Sequence, residues 1–167
     1  MATKPPTPSS LGHPFQKIYK LSDSIMCAVC GLIADIDLLL SYARQEVLRY
    51  RLTRSTEIPV TKLVQRLADV SQEYTRHKTL RPLAASMTFA GYTDANGFQL
   101  LSLEVASVMH WKATAYGRDH LSLRRFLESG FAEGITSKKA AELAYEAFVK
   151  VSECFKRQCK IHRNGVP

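Results

Sequence analysis

The sequence lacks a long hydrophobic run. The apolar stretch near residues 36–40 is preceded by Asp35 and interrupted by Asp37, whereas a membrane-spanning helix needs roughly 18 or more consecutive apolar residues. Residues 1–14 are rich in Pro, Ser and Thr and contain no apolar segment of the kind found in secretory signals. We therefore predict no membrane partner, a disordered leader over residues 1–14 and an intracellular chain.

The sequence lacks a cysteine spacing that favours a metal site. The four cysteines are Cys27, Cys30, Cys154 and Cys159, and free thiols are expected in an intracellular chain. Cys27 and Cys30 fall in a predicted strand, where residues three apart point to opposite faces. Cys154, Cys159 and His162 match no standard zinc-binding spacing. We therefore predict no bound metal.

Common catalytic and cofactor-binding motifs are also missing. The sequence has no G-x-S-x-G element, no P-loop and no dinucleotide-binding glycine pattern. Thr3 and Thr7 lie in the Pro-rich leader, and no strand with a partner lysine and aspartate follows them. An N-terminal threonine nucleophile needs a setting of that kind. We therefore predict no catalytic residues and no cofactor.

The charge balance is basic, with 23 Lys and Arg against 15 Asp and Glu and a net charge of +8. Such a balance is typical of many nucleic-acid-binding proteins. Here the basic residues are dispersed, for example Arg44, Arg49, Arg51 and Arg54 along one predicted helix, without an RNP-type, zinc-finger or basic-zipper pattern. We interpret them as solvated or interface-facing helix surface and expect no nucleic-acid partner. The alternative is an independent basic domain that binds nucleic acid or an acidic protein.

Hydrophobic periodicity predicts clusters of strands and helices rather than their strict alternation. The predicted order is two strands (15–21 and 25–30), two helices (34–54 and 59–76), three strands (82–91, 98–103 and 108–116) and two helices (120–129 and 137–155). Clustering of this kind is typical of an antiparallel sheet covered by helices. The predicted fold class is therefore α+β.

Five sequence blocks follow one another along the chain. They are QKIYKL (16–21), GLIADIDLLLSYARQE (31–46), IPVTKLVQRLADVSQEYT (58–75), RPLAASMTFAGY (81–92) and WKATAYG (111–117). In this order the blocks resemble the alpha-type subunits of the proteasome core particle, and the resemblance covers residues 16–153. Within that family, residues 17–21, 97–100 and 133–134 are most similar to the alpha-type-4 branch.

This resemblance implies an incomplete four-layer α-β-β-α sandwich, the fold of proteasome subunits and other N-terminal-nucleophile hydrolases. The expected domain covers residues 15–155, and residues 156–167 are expected to form a frayed basic tail. The family's N-terminal gating tail, first helix and last strands have no counterpart, so we expect a chain shortened or divergent at both ends. Its open sheet edges would expose unpaired backbone groups unless a partner covers them.

The resemblance also implies a function. Alpha subunits are structural, so the chain would join other alpha and beta subunits, gate substrate entry and dock activators in ubiquitin-dependent protein degradation, in the cytoplasm and nucleus. Lys17, Gly31 and Leu32 match the family's pocket for the C-terminal carboxylate of activator tails, where an ammonium pairs with the carboxylate. Without the resemblance, Lys17 would be interpreted as a solvent-exposed strand lysine beside a turn glycine.

Overall fold

The structure is a computed structural model that describes residues 16–117 and 119–164, with side chains over 16–117 and 119–150. The chain divides into two compact units with their boundary between residues 112 and 113, within the range 15–155 that the sequence predicted as one domain. We call the first the sheet unit and the second the helical unit. The predicted leader over 1–14 lies outside the described residues. No helix in the described ranges combines the length and apolar character needed to cross a membrane.

The elements follow the predicted order. The sheet unit contains β1 (Ile18–Lys20), β2 (Ile25–Gly31), α1 (Ile33–Arg54), α2 (Val60–Arg76), β3 (Ala85–Thr93), β4 (Gly97–Glu104) and β5 (Ser107–Trp111). The helical unit contains α3 (His120–Gly130) and α4 (Ser137–Asn164). The predicted α+β fold class is confirmed.

The sheet unit is built on a five-stranded antiparallel sheet in the order β1-β2-β3-β4-β5. Each strand therefore pairs with its neighbour in the sequence. The register places Cys27 of β2 opposite Phe89 of β3, and Phe89 opposite Leu101 of β4. Between β2 and β3 the chain forms the hairpin of α1 and α2, so this one pairing joins segments that are distant in sequence.

One face of the sheet is covered by α1 and α2. Alternate strand residues point to this face, and Cys27, Phe89 and Leu101 are buried there side by side. The helix residues that complete the core recur at spacings of three and four, as expected for an amphipathic helix; they are Ile36, Leu39, Leu40, Ala43 and Val47 of α1 and Val60, Leu63, Val64, Leu67 and Ala68 of α2. The core of the sheet unit thus lies between the sheet and the helix hairpin.

The opposite face of the sheet carries the other alternating set of residues. Met26, Tyr92 and Phe98 are exposed there, and the ring centroids of Tyr92 and Phe98 lie 4.8 Å apart. Nearby, the indole N–H of Trp111 donates to the hydroxyl oxygen of Ser102 at 2.8 Å, which provides a partner for a buried polar group. One face of the sheet is therefore buried under the helices, and the other carries exposed apolar side chains.

The helical unit is a pair of helices. The ammonium of Lys150 lies 4.1 Å from the centroid of the Phe126 ring, which links α4 to α3. The sequence predicted that the second helix would end near residue 155 and that residues 156–167 would fray. In the structure α4 extends to Asn164 rather than ending near residue 155, and no glycine or proline interrupts the sequence from Ser137 to Asn164. The frayed tail over residues 156–167 stays a prediction.

Candidate functional site

Lys17 lies immediately before β1, on the outer strand of the sheet. Its carbonyl oxygen accepts a hydrogen bond from the Val29 N–H at 2.9 Å, which extends the β1–β2 ladder by one position beyond Ile18. Opposed residues of an antiparallel pair project from the same face. Because Val29 is buried under the helices, Lys17 lies on the helix-covered face. It is nonetheless exposed, since it sits at the edge of the sheet.

Gly31 ends β2 where the backbone approaches the following strand closely. Its φ of 136° is a conformation that only glycine adopts readily. A β-carbon at this position would lie 2.8 Å from the Cα of Ala85. The close contact between the ends of β2 and β3 therefore depends on glycine at residue 31.

Leu32 joins β2 to α1 and acts as the N-cap residue of the helix. Its N–H donates to the Ala84 carbonyl oxygen at 2.8 Å, and its own carbonyl oxygen accepts from the Ile36 N–H at 3.0 Å. The residue is 50% exposed. Both backbone polar groups of Leu32 are thus engaged within the protein, while its side chain remains accessible.

Lys17 lies opposite Val29, two residues before Gly31, so Lys17, Gly31 and Leu32 fall at the same end of the β1–β2 pair, here called the Lys17 corner. Successive residues of an inner strand direct their backbone groups alternately to the two neighbouring strands. The Val29 N–H points to the β1 side and the Leu32 N–H points to the β3 side. By this alternation the backbone groups of Gly31 are directed to the β1 side, two positions along from the Lys17–Val29 pair.

A buried carboxylate, which the sequence patterns did not single out, supports this corner. Asp35 accepts two N–H groups of the Arg81 guanidinium, at 2.7 Å and 2.8 Å, and the Ala84 N–H at 2.7 Å. We call these three residues the Asp35 clamp. Asp35 is 5% exposed, whereas 59% of the Arg81 side chain is exposed. The hydrogen bonds from Arg81 and then from Ala84 hold the pKa of Asp35 below its usual range.

Cys27 and Cys30 do not form a joint site. As predicted, they lie on opposite faces of β2, with Cys27 buried and Cys30 half-buried. Burial raises the pKa of the Cys27 thiol to about 12, so this thiol stays protonated at neutral pH. Among the side chains that the structure describes, no group of three or more His, Cys, Asp or Glu is placed to hold a metal. The side chains of Cys154, Cys159 and His162 lie outside that part of the chain.

The arginines of α1 and α2 make several contacts within the sheet unit. The Arg44 guanidinium lies 5.7 Å from the centroid of the Tyr19 ring, in a cation–π contact. Arg49 forms an ion pair with Glu46 at 3.1 Å, and Arg66 lies 3.8 Å from the same carboxylate group. These basic groups therefore help to join α1 to β1 and α1 to α2.

The antiparallel sheet beneath a helix hairpin is consistent with an α+β sandwich of the N-terminal-nucleophile type. The family model described as "Proteasome subunit" matches residues 3–161. The chain belongs to the proteasome subunit family.

Alpha-type subunits are among its relatives. The chain is 36% identical over 139 residues to proteasome subunit alpha type-4-2 of Oryza sativa subsp. indica and 35% identical over 139 residues to alpha type-4 of Spinacia oleracea. It is also 36% identical over 139 residues to proteasome subunit alpha type-3 of Saccharomyces cerevisiae. Each match covers 83% of this chain and 54% to 56% of the relative, so the chain spans about half the length of the curated relatives it matches. The predicted resemblance to alpha-type subunits is confirmed.

Proposed function

We propose that the chain is a non-catalytic structural subunit of the proteasome core alpha ring. The main support is its 36% identity to the alpha type-4-2 subunit, which extends over 83% of the chain. In this role it forms part of the ring wall with other alpha subunits, contacts the beta subunits, and contributes to gating and to activator docking. The beta subunits carry out hydrolysis in ubiquitin-dependent protein degradation, in the cytoplasm and nucleus.

Assembly is the first test of this proposal. A tagged full chain is expressed in cells, isolated by affinity and analysed by mass spectrometry and native sedimentation. We expect recovery of proteasome alpha and beta subunits in a particle far larger than the 18.7 kDa chain. The alternative of a basic binding domain predicts a chain that sediments alone and binds polynucleotide, with an affinity that falls steeply as salt is raised. That combination would overturn the proposed subunit role.

The proposed lack of catalysis is tested at the early threonines. Thr3 and Thr7 belong to a Pro-rich segment outside the described residues, whereas a threonine nucleophile works at the head of a strand with its own amine as base. We expect the purified full chain to leave a fluorogenic peptide intact. Turnover that disappears in Thr3→Ala would contradict this part of the proposal.

The Lys17 corner is the proposed docking site for the C-terminal carboxylate of an activator tail. Lys17 supplies an exposed ammonium at the sheet edge, and the alternation of the ladder directs the Gly31 backbone to the same side. Because the Leu32 N–H already donates to Ala84 at 2.8 Å, we assign recognition of the carboxylate to the Lys17 ammonium, beside the backbone of Gly31. The exposed Leu32 side chain provides an apolar wall.

A pair of lysine variants tests this docking site. Lys17→Met removes the ammonium at the corner, whereas Lys20→Met removes another exposed lysine, in β1, that pairs with Asp23 at 2.6 Å. Binding of a fluorescent peptide with a free C-terminal carboxylate is compared with binding of the same peptide in amidated form. We expect Lys17→Met to weaken carboxylate binding by about tenfold or more, the effect of losing a hydrogen bond to a charged group, and Lys20→Met to have no effect. Equal affinities for the two lysine variants would remove the site.

A further inference from the structure

The Asp35 clamp is tied to the Lys17 corner through a single residue. Ala84 donates its N–H to Asp35 at 2.7 Å, and its carbonyl oxygen accepts the Leu32 N–H at 2.8 Å. The same carbonyl lies against the backbone of Gly31, where a β-carbon would collide with it. Ala84 is thus hydrogen-bonded to the Asp35 carboxylate on one side and to Leu32 on the other, with Gly31, the last residue of β2, against its carbonyl group.

We infer that Asp35 and Arg81 are positioning residues for carboxylate docking at the Lys17 corner, an inference that rests on the docking function proposed above. Asp35 fixes the peptide unit of Ala84, and Ala84 fixes the backbone of Gly31 and Leu32. The clamp therefore holds in place the backbone at the Gly31–Leu32 end of the Lys17 corner. Neither Asp35 nor Arg81 touches the ligand, whose class is a peptide with a free C-terminal carboxylate.

The division of charge and burial between the two partners supports this role. Asp35 is almost fully buried, and a buried carboxylate needs a cation and hydrogen-bond donors to remain charged. Arg81 supplies both through two parallel N–H···O bonds, at 2.7 Å and 2.8 Å, a geometry that also fixes the orientation of the carboxylate. Since most of the Arg81 side chain is exposed, its replacement disturbs the orientation of Asp35 and not the apolar core.

The test compares Arg81→Met and Arg81→Lys with a matched control, Arg49→Met. Arg49 is also an exposed arginine paired with a less exposed carboxylate, Glu46, at 3.1 Å. The full chain, in the assembly it forms, is titrated with the carboxylate peptide and with its amidated form. We expect Arg81→Met to weaken binding of the carboxylate peptide about tenfold, as for the loss of a charge-assisted hydrogen bond. Arg81→Lys keeps the charge without the bidentate geometry and should restore part of the affinity, while Arg49→Met should bind as the wild type does.

Hydrogen exchange provides a measurement that does not depend on the ligand. In Arg81→Met we expect the amides of Leu32 and Ala84 to exchange faster, because the bonds that fix Ala84 loosen. The amides of the β3–β4 ladder should be unchanged. Faster exchange throughout the sheet would indicate general destabilisation and would overturn the positioning role.

The binding results distinguish the positioning role of Asp35 and Arg81 from the docking function on which it rests. Suppose that the wild type prefers the carboxylate peptide, that Lys17→Met abolishes the preference, and that Arg81→Met binds normally. Docking then stands and the positioning role is overturned. If the wild type binds the carboxylate and amidated peptides equally, the docking site and the positioning role both fail.

Discussion

Gly31 and Ala84 approach each other so closely that residue 31 cannot carry a side chain without displacing its neighbour. A β-carbon there would collide with the Ala84 carbonyl oxygen and lie 2.8 Å from the Cα of Ala85, and the backbone φ is 136°. We expect Gly31→Ala to lower the free energy of unfolding by about 2–4 kcal/mol, since backbone strain and overpacking act together. Urea unfolding followed by circular dichroism measures this change.

Gly97 offers the matched control for that substitution. It also has a positive φ, 67°, but a β-carbon there would meet nothing within 4 Å. Gly97→Ala should therefore cost only the left-handed backbone penalty of about 1–2 kcal/mol. Equal losses for the two variants would show that the close approach at residue 31 is not what makes glycine necessary.

Phe89 is the largest side chain at the centre of the sheet-unit core and is 0% exposed. Phe89→Ala leaves a cavity that the surrounding helices and strands fill only in part, so we expect a loss of about 3–5 kcal/mol in the free energy of unfolding. Phe98, on the other face, is 89% exposed, and Phe98→Ala should cost less than about 1 kcal/mol. A small loss for Phe89→Ala would mean that the core is packed differently. Denaturant titration of both variants decides this point.

The Asp35 clamp should make the free energy of unfolding sensitive to acid. The hydrogen bonds from Arg81 and Ala84 lower the pKa of Asp35 in the folded protein relative to its usual value of 3.8. A carboxyl group whose pKa is lower in the folded than in the unfolded protein stabilises the fold at pH values above its unfolded pKa. That stabilisation is lost as the pH falls through the pKa of the folded protein. We expect the wild type to exceed Asp35→Asn in stability at pH 6, and the difference to shrink below about pH 4. A difference that stays constant between pH 6 and pH 3 would contradict the clamp.

Burial of the Cys27 thiol should lower the stability of the protein at alkaline pH. Burial raises the pKa of its thiol from 9.0 to about 12, so above pH 9 the unfolded chain releases a proton that the folded chain keeps. The contribution of the protonated Cys27 thiol to the free energy of unfolding is fully present below the pKa of the unfolded chain. It declines by about 1.4 kcal/mol per pH unit between the unfolded and folded pKa values.

Cys27→Ala isolates the contribution of this thiol from tyrosines and lysines that titrate in the same range. We expect the stability difference between the wild type and Cys27→Ala to be constant from pH 7 to pH 8.5 and to move in favour of the variant above pH 9. The pH dependence of the urea midpoint gives the result. Parallel pH profiles for the two proteins would show that the thiol is not buried as described.

The sequence predicted the elements of the sheet unit well where burial imposes a strong pattern. The apolar residues of α2 recur at helical spacing from Val60 to Ala68, and β2 is apolar at alternate positions from Ile25 to Val29. It predicted the end of β5 less well, because apolar alternation continues to residue 116 although the strand ends at Trp111. The alternation of apolar and polar residues shows which face of the sheet a residue lies on, but it does not show where the cross-strand hydrogen bonds end.

The candidate site was only partly predictable for a similar reason. Lys17, Gly31 and Leu32 were identified through motifs that are each local in sequence. The Asp35–Arg81 pair joins residues 46 positions apart and exists only when β2 and β3 adopt their register. An acidic residue in the first turn of a helix is ordinarily explained by the helix dipole alone, so no local pattern at Asp35 points to a distant arginine.

The hairpin of α1 and α2 between β2 and β3 has a consequence for the order of folding. Strands β3, β4 and β5 are joined by tight turns, so their pairing closes short loops at low entropic cost. The pairing of β2 with β3 must close a loop that contains both helices, and closure entropy and folding time rise with such separation. We expect the three-stranded meander to form early and the docking of β2 to limit the rate, so the Lys17 corner would be among the last parts of the sheet unit to mature.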